Sequence, residues 1–291
     1  MTLAQALYSS AHTLRLNGVD DSQLEARILL QHILNLPQAQ VYSECDRLLT
    51  NEEVKLLQQL IERRLLGEPS AYIVEHKEFY GNDFCVDPRV LIPRPETELL
   101  IEAALEWASD IEHSLPFLER PLRIADIGTG CGAIAITLAL KLPQSRVYAI
   151  DISPSALQVA QLNCERHEVI RQIVLLQGDL LESLPEPVDL LVANLPYIKN
   201  SELANLSPEV ALFEPRIAID GGKDGLDEIG SLLSQLEGKT FPHSCFLLEI
   251  GKGQDKKLIS LLKRHVPAAK YAFIPDYAGI NRVGKITFQR I

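Results

Sequence analysis

From Arg123 to Ala193, short apolar runs alternate with longer amphipathic stretches, and this alternation restricts the fold more than any other feature of the chain. Arg123 to Ile127, Arg146 to Ile150, Ile173 to Gln177 and Asp189 to Ala193 have the length and the Val, Ile and Leu content of buried strands. Ala133 to Lys141 and Pro154 to Arg166 have helical periodicity, the second with Ser153 at the capping position and Pro154 opening its first turn. Parallel strands need a crossover between them, so repeated units of this size predict an α/β fold with a doubly wound, mostly parallel sheet. Further helices are expected at Leu226 to Leu236 and Lys256 to Lys263. Strands are expected at Cys245 to Ile250, Tyr271 to Pro275 and Lys285 to Arg290, with an antiparallel strand closing the sheet. A loop marked by Pro116 and Pro121 precedes the first unit.

Open sheets of this kind bind ligands beyond the carboxyl ends of their strands. Two such ends carry conspicuous residues. Asp126-Ile127-Gly128-Thr129-Gly130-Cys131-Gly132 joins the first strand to its helix, and its glycines allow a tight turn and close approach of a ligand. Gly128, Gly130 and Ala133 also satisfy the dinucleotide pattern G-x-G-x-x-A, and Asp151 ends the second strand where a nicotinamide enzyme keeps its ribose-binding acid. A dehydrogenase is therefore an alternative. Asp126 argues against it, because a carboxylate in the turn would face the incoming pyrophosphate, whereas it suits a cationic ligand such as the amino-acid end of S-adenosylmethionine. At the other end, the run Asp189 to Ala193 stops at Asn194-Leu195-Pro196-Tyr197. The Asn194 side-chain oxygen and the Leu195 carbonyl can both accept hydrogen bonds from one NH2 group while the Tyr197 ring covers it. A plain β-turn explains the Asn and Pro equally well.

The N-terminal part has a different character. Thr2 with Gln5, Ser22 with Glu25, and Thr50 with Glu53 have capping-box spacing ahead of helical stripes, namely Leu3, Leu7 and Leu14; Leu24, Ile28 and Leu29; and Val54, Leu57, Ile61 and Leu65. Residues 1–70 are expected to form a helical domain without catalytic groups, either a recognition module or a stabilising cap. Residues 71–92 follow as a β-hairpin linker turning at Gly81-Asn82, and 93–291 as the sheet domain. Between hairpin and sheet lies Arg94-Pro95-Glu96-Thr97-Glu98, whose prolines fix an extended approach to a helix running past Trp107.

Composition narrows the partners. A formal charge of −11 argues against tight, sequence-independent binding to nucleic acid. No apolar run approaches the roughly 20 residues of a membrane helix, and the N-terminus lacks a signal-peptide pattern, so a cytoplasmic location is expected. The five cysteines are scattered without C-x-x-C or metal-ligand spacing, which predicts reduced thiols and no metal.

The D-x-G-T-G-x-G turn, Asp151, Gly178-Asp179 after the third strand and Asn194-Leu195-Pro196-Tyr197 together resemble class I S-adenosylmethionine methyltransferases. That resemblance implies that Asp126, Gly128, Thr129, Gly130 and Gly132 hold the methionine moiety. It further implies that Asp151 and Ile152 take the ribose, Asp179 the adenine, and that Asn194 borders the cofactor. Adenine in nucleic acid and the amide of glutamine remain open as methyl acceptors on these residues, and a non-catalytic S-adenosylmethionine sensor remains a third possibility. Arg94 to Glu98, Phe213-Glu214-Pro215-Arg216, Gly221 to Leu226, Glu249-Ile250-Gly251 and Asp276 to Gly279 with Arg282-Val283 resemble the release-factor glutamine methyltransferases, the PrmC/HemK family. The second resemblance implies class I peptide chain release factors as substrates, S-adenosylhomocysteine as product and a monomeric enzyme. Arg94, Pro95, Glu96, Thr97, Glu98, Asn194, Pro196 and Tyr197 would meet substrate, with Asn194, Leu195, Pro196 and Tyr197 as the catalytic loop. Leu195 stands where that family usually has a proline. If only its carbonyl works, its side chain is expected to matter little.

Overall fold

The computed structural model describes residues 1–114 and 120–288, and these form two compact units, Met1–His76 with Ser207–Phe213, and Lys77–Leu206 with Glu214–Ile291. The loop expected at Pro116 and the end of the strand expected to reach Arg290 lie outside the described residues.

The first unit is helical: α1 (Leu3–Leu16), α2 (Ser22–Leu34), α3 (Gln38–Ser43), α4 (Asn51–Leu65) and α5 (Ser70–Val74). The boxes at Thr2 and Thr50 form in full, with the side chain of the third helical residue reaching back to the cap in each. The box expected at Ser22 does not form. Asp21 occupies the cap position in a left-handed conformation without a side-chain bond, and Glu25 instead accepts from Arg64 Nε at 2.7 Å and Ser70 Oγ at 3.2 Å. Burial of Arg64 against these partners outweighs a surface cap. The buried stripe of α2 runs through Ala26, Leu29, Leu30 and Leu34, leaving Leu24 at the surface, and Leu65 is likewise exposed on α4. Arg64 also pairs with Glu209, carried into this unit by the segment Ser207–Phe213.

The second unit begins at Lys77, within the hairpin of β1 (His76–Phe79) and β2 (Asn82–Cys85). Its turn lies one residue earlier than expected. Tyr80 and Gly81 carry the positive φ angles, 51° and 75°, and Asn82 already belongs to β2. Next come α6 (Glu98–Ser114), β3 (Arg123–Ile127), α7 (Ala133–Lys141), β4 (Arg146–Asp151), α8 (Pro154–Arg166), β5 (Ile173–Gln177) and β6 (Val188–Ala193). The segment α9 (Pro208–Phe213) belongs to the first unit, and α10 (Asp227–Ser234), β7 (Thr240–Glu249), α11 (Asp255–His265), β8 (Lys270–Pro275) and β9 (Asn281–Thr287) complete the chain.

The seven-stranded sheet has the order β5-β4-β3-β6-β7-β9-β8. Strands β3 to β7 run parallel, and β9 is antiparallel to both of its neighbours. The expected antiparallel closing strand is β9, which lies between β7 and β8. It begins at Asn281, ahead of the expected Lys285, because the Asp276 carboxylate accepts from the N–H groups of Ala278 and Ile280 and from Arg282, closing the turn early. Strand order reverses on either side of β3, so the carboxyl ends of β3, β4 and β6 flank the crevice where such sheets bind ligands. Both faces are covered, and the six residues of β6 are all buried.

Candidate functional site

The crevice at the carboxyl ends of β3, β4, β5 and β6 opens into a cavity of about 430 Å³. Gly128, Gly130, Asp151, Ile152, Asp179 and Asn194 line it, together with Leu195 and Pro196. The turn after β3 is possible because Gly128, Gly130 and Gly132 all adopt positive φ, at 74°, 56° and 85°. A side chain at Gly128 would lie 3.2 Å from the Leu195 side chain, so the absence of a Cβ lets the two ligand-facing loops meet.

Asp126, Thr129 and Gly132 stand behind the cavity wall. Asp126 is fully buried, and its Oδ2 accepts from Thr129 Oγ1 at 2.7 Å and from the Ala135 N–H at 3.1 Å, tying β3 to the first turn of α7. Its Oδ1 has no partner among the described residues. Burial pushes this carboxyl up to about 7, the Thr129 and Ala135 donors pull it down, and the charge of Asp151 raises it. Such an orphaned acceptor is the reverse of what a pyrophosphate needs and is what a cationic amino group can satisfy. Asp151 accepts from Gly130 N–H at 2.8 Å and Ser153 N–H at 2.9 Å, which fixes its orientation at the cavity rim. Burial raises its pKa as well.

Asn194 Nδ2 donates to Thr97 Oγ1 at 3.1 Å. This single bond orients the carboxamide, and among the described residues no donor takes Oδ1. Leu195 is 4% exposed and packs in the core beside Ile127 and Ala193. Its side chain therefore has a packing role, which is separate from the expectation that it matters little to turnover. Tyr197 is not among the residues lining the large cavity; it lines a smaller one of about 280 Å³ with Lys199, Lys252 and Arg282, its hydroxyl 3.2 Å from Glu249 Oε1.

The segment Arg94 to Glu98 does not line the large cavity. Arg94 pairs with the buried Glu214, Glu98 accepts the Tyr80 N–H at 2.9 Å, Pro95 and Glu96 are exposed, and Thr97 is buried against Asn194. Of this segment, Thr97 alone is hydrogen-bonded to the Asn194 loop among the described residues.

Gln254, Asn163, Arg89, Ile217 and Glu228 were not singled out from sequence, whereas Gly221 and Gly251 were. Gln254, 3% exposed, donates from Nε2 to the carbonyls of Tyr197 at 2.8 Å and Gly225 at 3.1 Å, while its Oε1 accepts the Gly251 N–H at 2.7 Å. The Gly221 N–H donates to the Ile198 carbonyl at 2.8 Å and the Ile198 N–H to the Ile219 carbonyl at 3.1 Å, so a second strand-like segment braces the loop. Asn163, fully buried, accepts the Cys85 N–H and donates to the carbonyls of Cys85 and Cys131, joining hairpin, α8 and glycine turn. Arg89, Ile217 and Glu228 also reach the cavity. An asparagine inside a helix, as Asn163 is in α8, or a glutamine just ahead of one, as Gln254 is before α11, gives no signal of this kind until the fold buries it.

The match to known proteins is broad. Residues 5–74 fit the PrmC N-terminal domain and residues 113–211 the methyltransferase small domain. The release factor glutamine methyltransferase of Moorella thermoacetica is 41% identical over 283 residues, covering 97% of each chain. This chain belongs to the release factor glutamine methyltransferase family. The family member from Koribacter versatilis is 40% identical, again with 97% of each chain covered. A solved methyltransferase from Pyrococcus furiosus shares the fold at a TM-score of 0.51 and 19% identity, over 79% of this chain and 98% of that one. S-adenosylmethionine-dependent methyl transfer is the activity of this family, and a cavity that carries Asp151 and Asp179 beside the glycine turn fits that cofactor. Among the described residues no helix is long and apolar enough to cross a membrane.

Proposed function

We propose that the protein transfers a methyl group from S-adenosylmethionine to the side-chain amide nitrogen of the glutamine in the Gly-Gly-Gln motif of class I peptide chain release factors, leaving S-adenosylhomocysteine. The observation that carries this reading is the Asn194 carboxamide, held at Nδ2 by Thr97 and with no donor on Oδ1 among the described residues, at the edge of a cavity that carries Asp151 and Asp179. An amide nitrogen is a weak nucleophile because its lone pair is delocalised into the carbonyl. Asn194 Oδ1 and the Leu195 carbonyl accept its two N–H groups, aim the nitrogen, and favour the pyramidal geometry it needs for attack. Tyr197 packs beside the loop. When bound, S-adenosylmethionine supplies an electrophilic methyl group on a sulfonium centre. Asp126 and the glycine turn hold its amino-acid end, Asp151 and Ile152 its ribose, and Asp179 its adenine. The protein acts as a cytoplasmic monomer without a stable nucleic-acid partner, in keeping with its net charge of −11. Replacing the motif glutamine of the release factor by glutamate should abolish label transfer from S-adenosylmethionine. Undiminished transfer to that variant would overturn the assignment.

Asp151→Ala should weaken S-adenosylmethionine binding more than about tenfold, since it removes a carboxylate that accepts two charge-assisted bonds. Calorimetry giving unchanged affinity would place the ribose elsewhere.

A pH dependence follows from Asp126. Its folded pKa is raised to about 7, so the carboxyl is protonated below that value, whereas a cationic amino group binds the carboxylate. Cofactor binding must therefore expel a proton on the acid side, and affinity should fall about tenfold per pH unit below the pKa. Calorimetry in buffers of different ionisation enthalpy should detect release of about one proton on the acid side and none well above it. Asp126→Asn should remove the release.

The helical unit, residues 1–76 with 207–213, is assigned to recognition of the factor. Tyr8 and Leu16 on α1 are 74% and 71% exposed. Replacing both by serine should raise KM for a whole release factor more than for a short Gly-Gly-Gln peptide. Equal effects on both substrates would reduce the unit to a stabilising cap.

A further inference from the structure

The loop Asn194 to Tyr197 leaves the sheet after Ala193, which still pairs with Ile127 of β3 and Leu248 of β7. Its far end is fixed differently. The peptide group joining Tyr197 to Ile198 is held on both sides: the Ile198 N–H donates to the Ile219 carbonyl at 3.1 Å, and the Tyr197 carbonyl accepts from Gln254 Nε2 at 2.8 Å. Only Asn194, Leu195 and Pro196 lie between the two anchors, and the ring of Pro196 fixes its φ. The direction of the Leu195 carbonyl therefore follows from what holds Ala193 and Tyr197.

Gln254 is built into its position from several directions. It is 3% exposed and caps α11, its backbone carbonyl accepting the Leu258 N–H at 2.9 Å. Burial of Leu258 and Leu262 fixes that helix, and with it the point from which the Gln254 side chain reaches the loop. All three partners of its carboxamide are backbone groups. Besides the Tyr197 carbonyl, Nε2 donates to the Gly225 carbonyl at 3.1 Å, and Oε1 accepts the Gly251 N–H at 2.7 Å. Two carbonyls and one N–H are satisfied together by a primary amide, and their arrangement excludes the flipped carboxamide. Two glycines leave room for it. A Cβ at Gly225 would overlap the Tyr197 carbonyl oxygen and Gln254 Nε2, and one at Gly251 would lie 3.1 Å from Gln254 Oε1.

We propose that Gln254 is a positioning residue for methyl transfer: by holding the Tyr197–Ile198 peptide group it fixes the direction of the Leu195 carbonyl, one half of the clamp that Asn194 Oδ1 completes. The inference rests on the reading that this clamp accepts the two N–H groups of the substrate amide. It accounts for the convergence of three loops, after β6, before α10 and after β7, on one buried carboxamide. Gln254 does not line the large cavity. A role exerted through the loop therefore shows in the transfer step and not in cofactor binding.

The test is single-turnover methylation of a release factor at saturating S-adenosylmethionine, with cofactor affinity measured separately by calorimetry. Gln254→Met keeps the length and removes the donor, so kcat should fall about 10- to 100-fold relative to the unaltered protein at every pH. Gln254→Glu gives a signature that general loosening of the fold cannot. As a carboxylate it can only accept, which sets an oxygen against the Tyr197 carbonyl; as an acid it donates to that carbonyl and still accepts from Gly251. The charged and titratable groups around position 254 are Tyr197, Lys199 and Glu202 after β6, Lys252 after β7 and Arg282 on β9, with Glu249 against the Tyr197 hydroxyl, Asp224 bound to Lys257, and Asp255 next in the chain. All of these are shared with the unaltered protein, so the ratio of the two rates at each pH reports the introduced acid. The ratio should be low on the alkaline side and recover as pH falls, by up to about tenfold per pH unit. Cofactor affinity should stay within about twofold in both variants. A Gln254→Glu ratio that does not depend on pH, a Gln254→Met protein with undiminished kcat, or a loss of cofactor affinity in step with kcat would each overturn the role of Gln254. If such a result came with an inactive Asn194→Ala, the clamp would stand and only the role of Gln254 would fall; an active Asn194→Ala would remove the clamp itself.

Discussion

Asn194→Ala should lower kcat on the order of 10²–10³-fold while leaving the protein folded. The side chain is held by Thr97 at 3.1 Å and contributes no apolar burial, so truncation removes an acceptor without opening a core cavity. The loss should appear in kcat more than in KM, because the bond from the substrate nitrogen matters most as that nitrogen pyramidalises. Single-turnover measurement with saturating cofactor isolates this step. A fall confined to KM would mean that Asn194 only binds. Leu195 provides the contrast. Its side chain is buried in the core, so Leu195→Ala should cost about 2–5 kcal/mol of stability, a loss that comes from packing and not from the clamp.

Gly221→Ala should reduce turnover about 100-fold although residue 221 has no chemical group to contribute. An added Cβ would lie 2.7 Å from the Pro196 carbonyl oxygen and 2.7 Å from Tyr197 Cα. Both are backbone atoms of the loop that carries the clamp and cannot swing aside as a flexible side chain could. The methyl group must push the loop or its own segment by a substantial fraction of an ångström, and a clamp misplaced by that much loses its near-attack geometry. Gly230→Ala is the control. There the nearest atom is Leu261 Cδ2 at 3.9 Å, and turnover should not change. Equal activity in the two variants would mean that the clamp tolerates displacement.

The sheet was legible because its central strands are apolar runs, as in β6, where all six residues are buried. Strand β7 was legible only from Cys245. Its first half, Thr240 to Ser244, contains Pro242 and a left-handed His243, and a register shift separates it from the regular pairing with β6. Polar residues there carry no strand pattern, so the pairing is set by neighbours and not by local sequence. The glycine turn and Asp151 were legible because their chemistry is local. The supports were not. Gln254 reaches Tyr197 and Gly225 across a long stretch of chain, and nothing adjacent in sequence distinguishes it from a surface residue; Thr97 was picked out as meeting substrate, but its bond to Asn194, across 97 positions of chain, was not legible. Arg94 and Glu98 attracted notice as polar residues in one turn, and their visible bonds go to Glu214 and the Tyr80 backbone.

Burial sets stability against ionisation at two carboxyl groups. Asp126 and Glu249 both have folded pKa values raised to about 7 by burial. For each, the folded state binds the proton more tightly than the unfolded state. The stabilisation is complete below the ordinary carboxylate range and is lost as pH rises through the folded value. Ionising either group therefore costs stability, and for Asp126 the ionised form is the one the proposed cofactor contact requires.

The central claim is tested most directly by incubating the protein with labelled S-adenosylmethionine and a purified class I release factor, then locating the label by peptide mass mapping. The account predicts one added methyl group on the side-chain nitrogen of the Gly-Gly-Gln glutamine, absent when Asn194→Ala replaces the protein over the same single-turnover interval. A methyl group on any other residue, or none on the factor while adenine in nucleic acid is methylated, would contradict it.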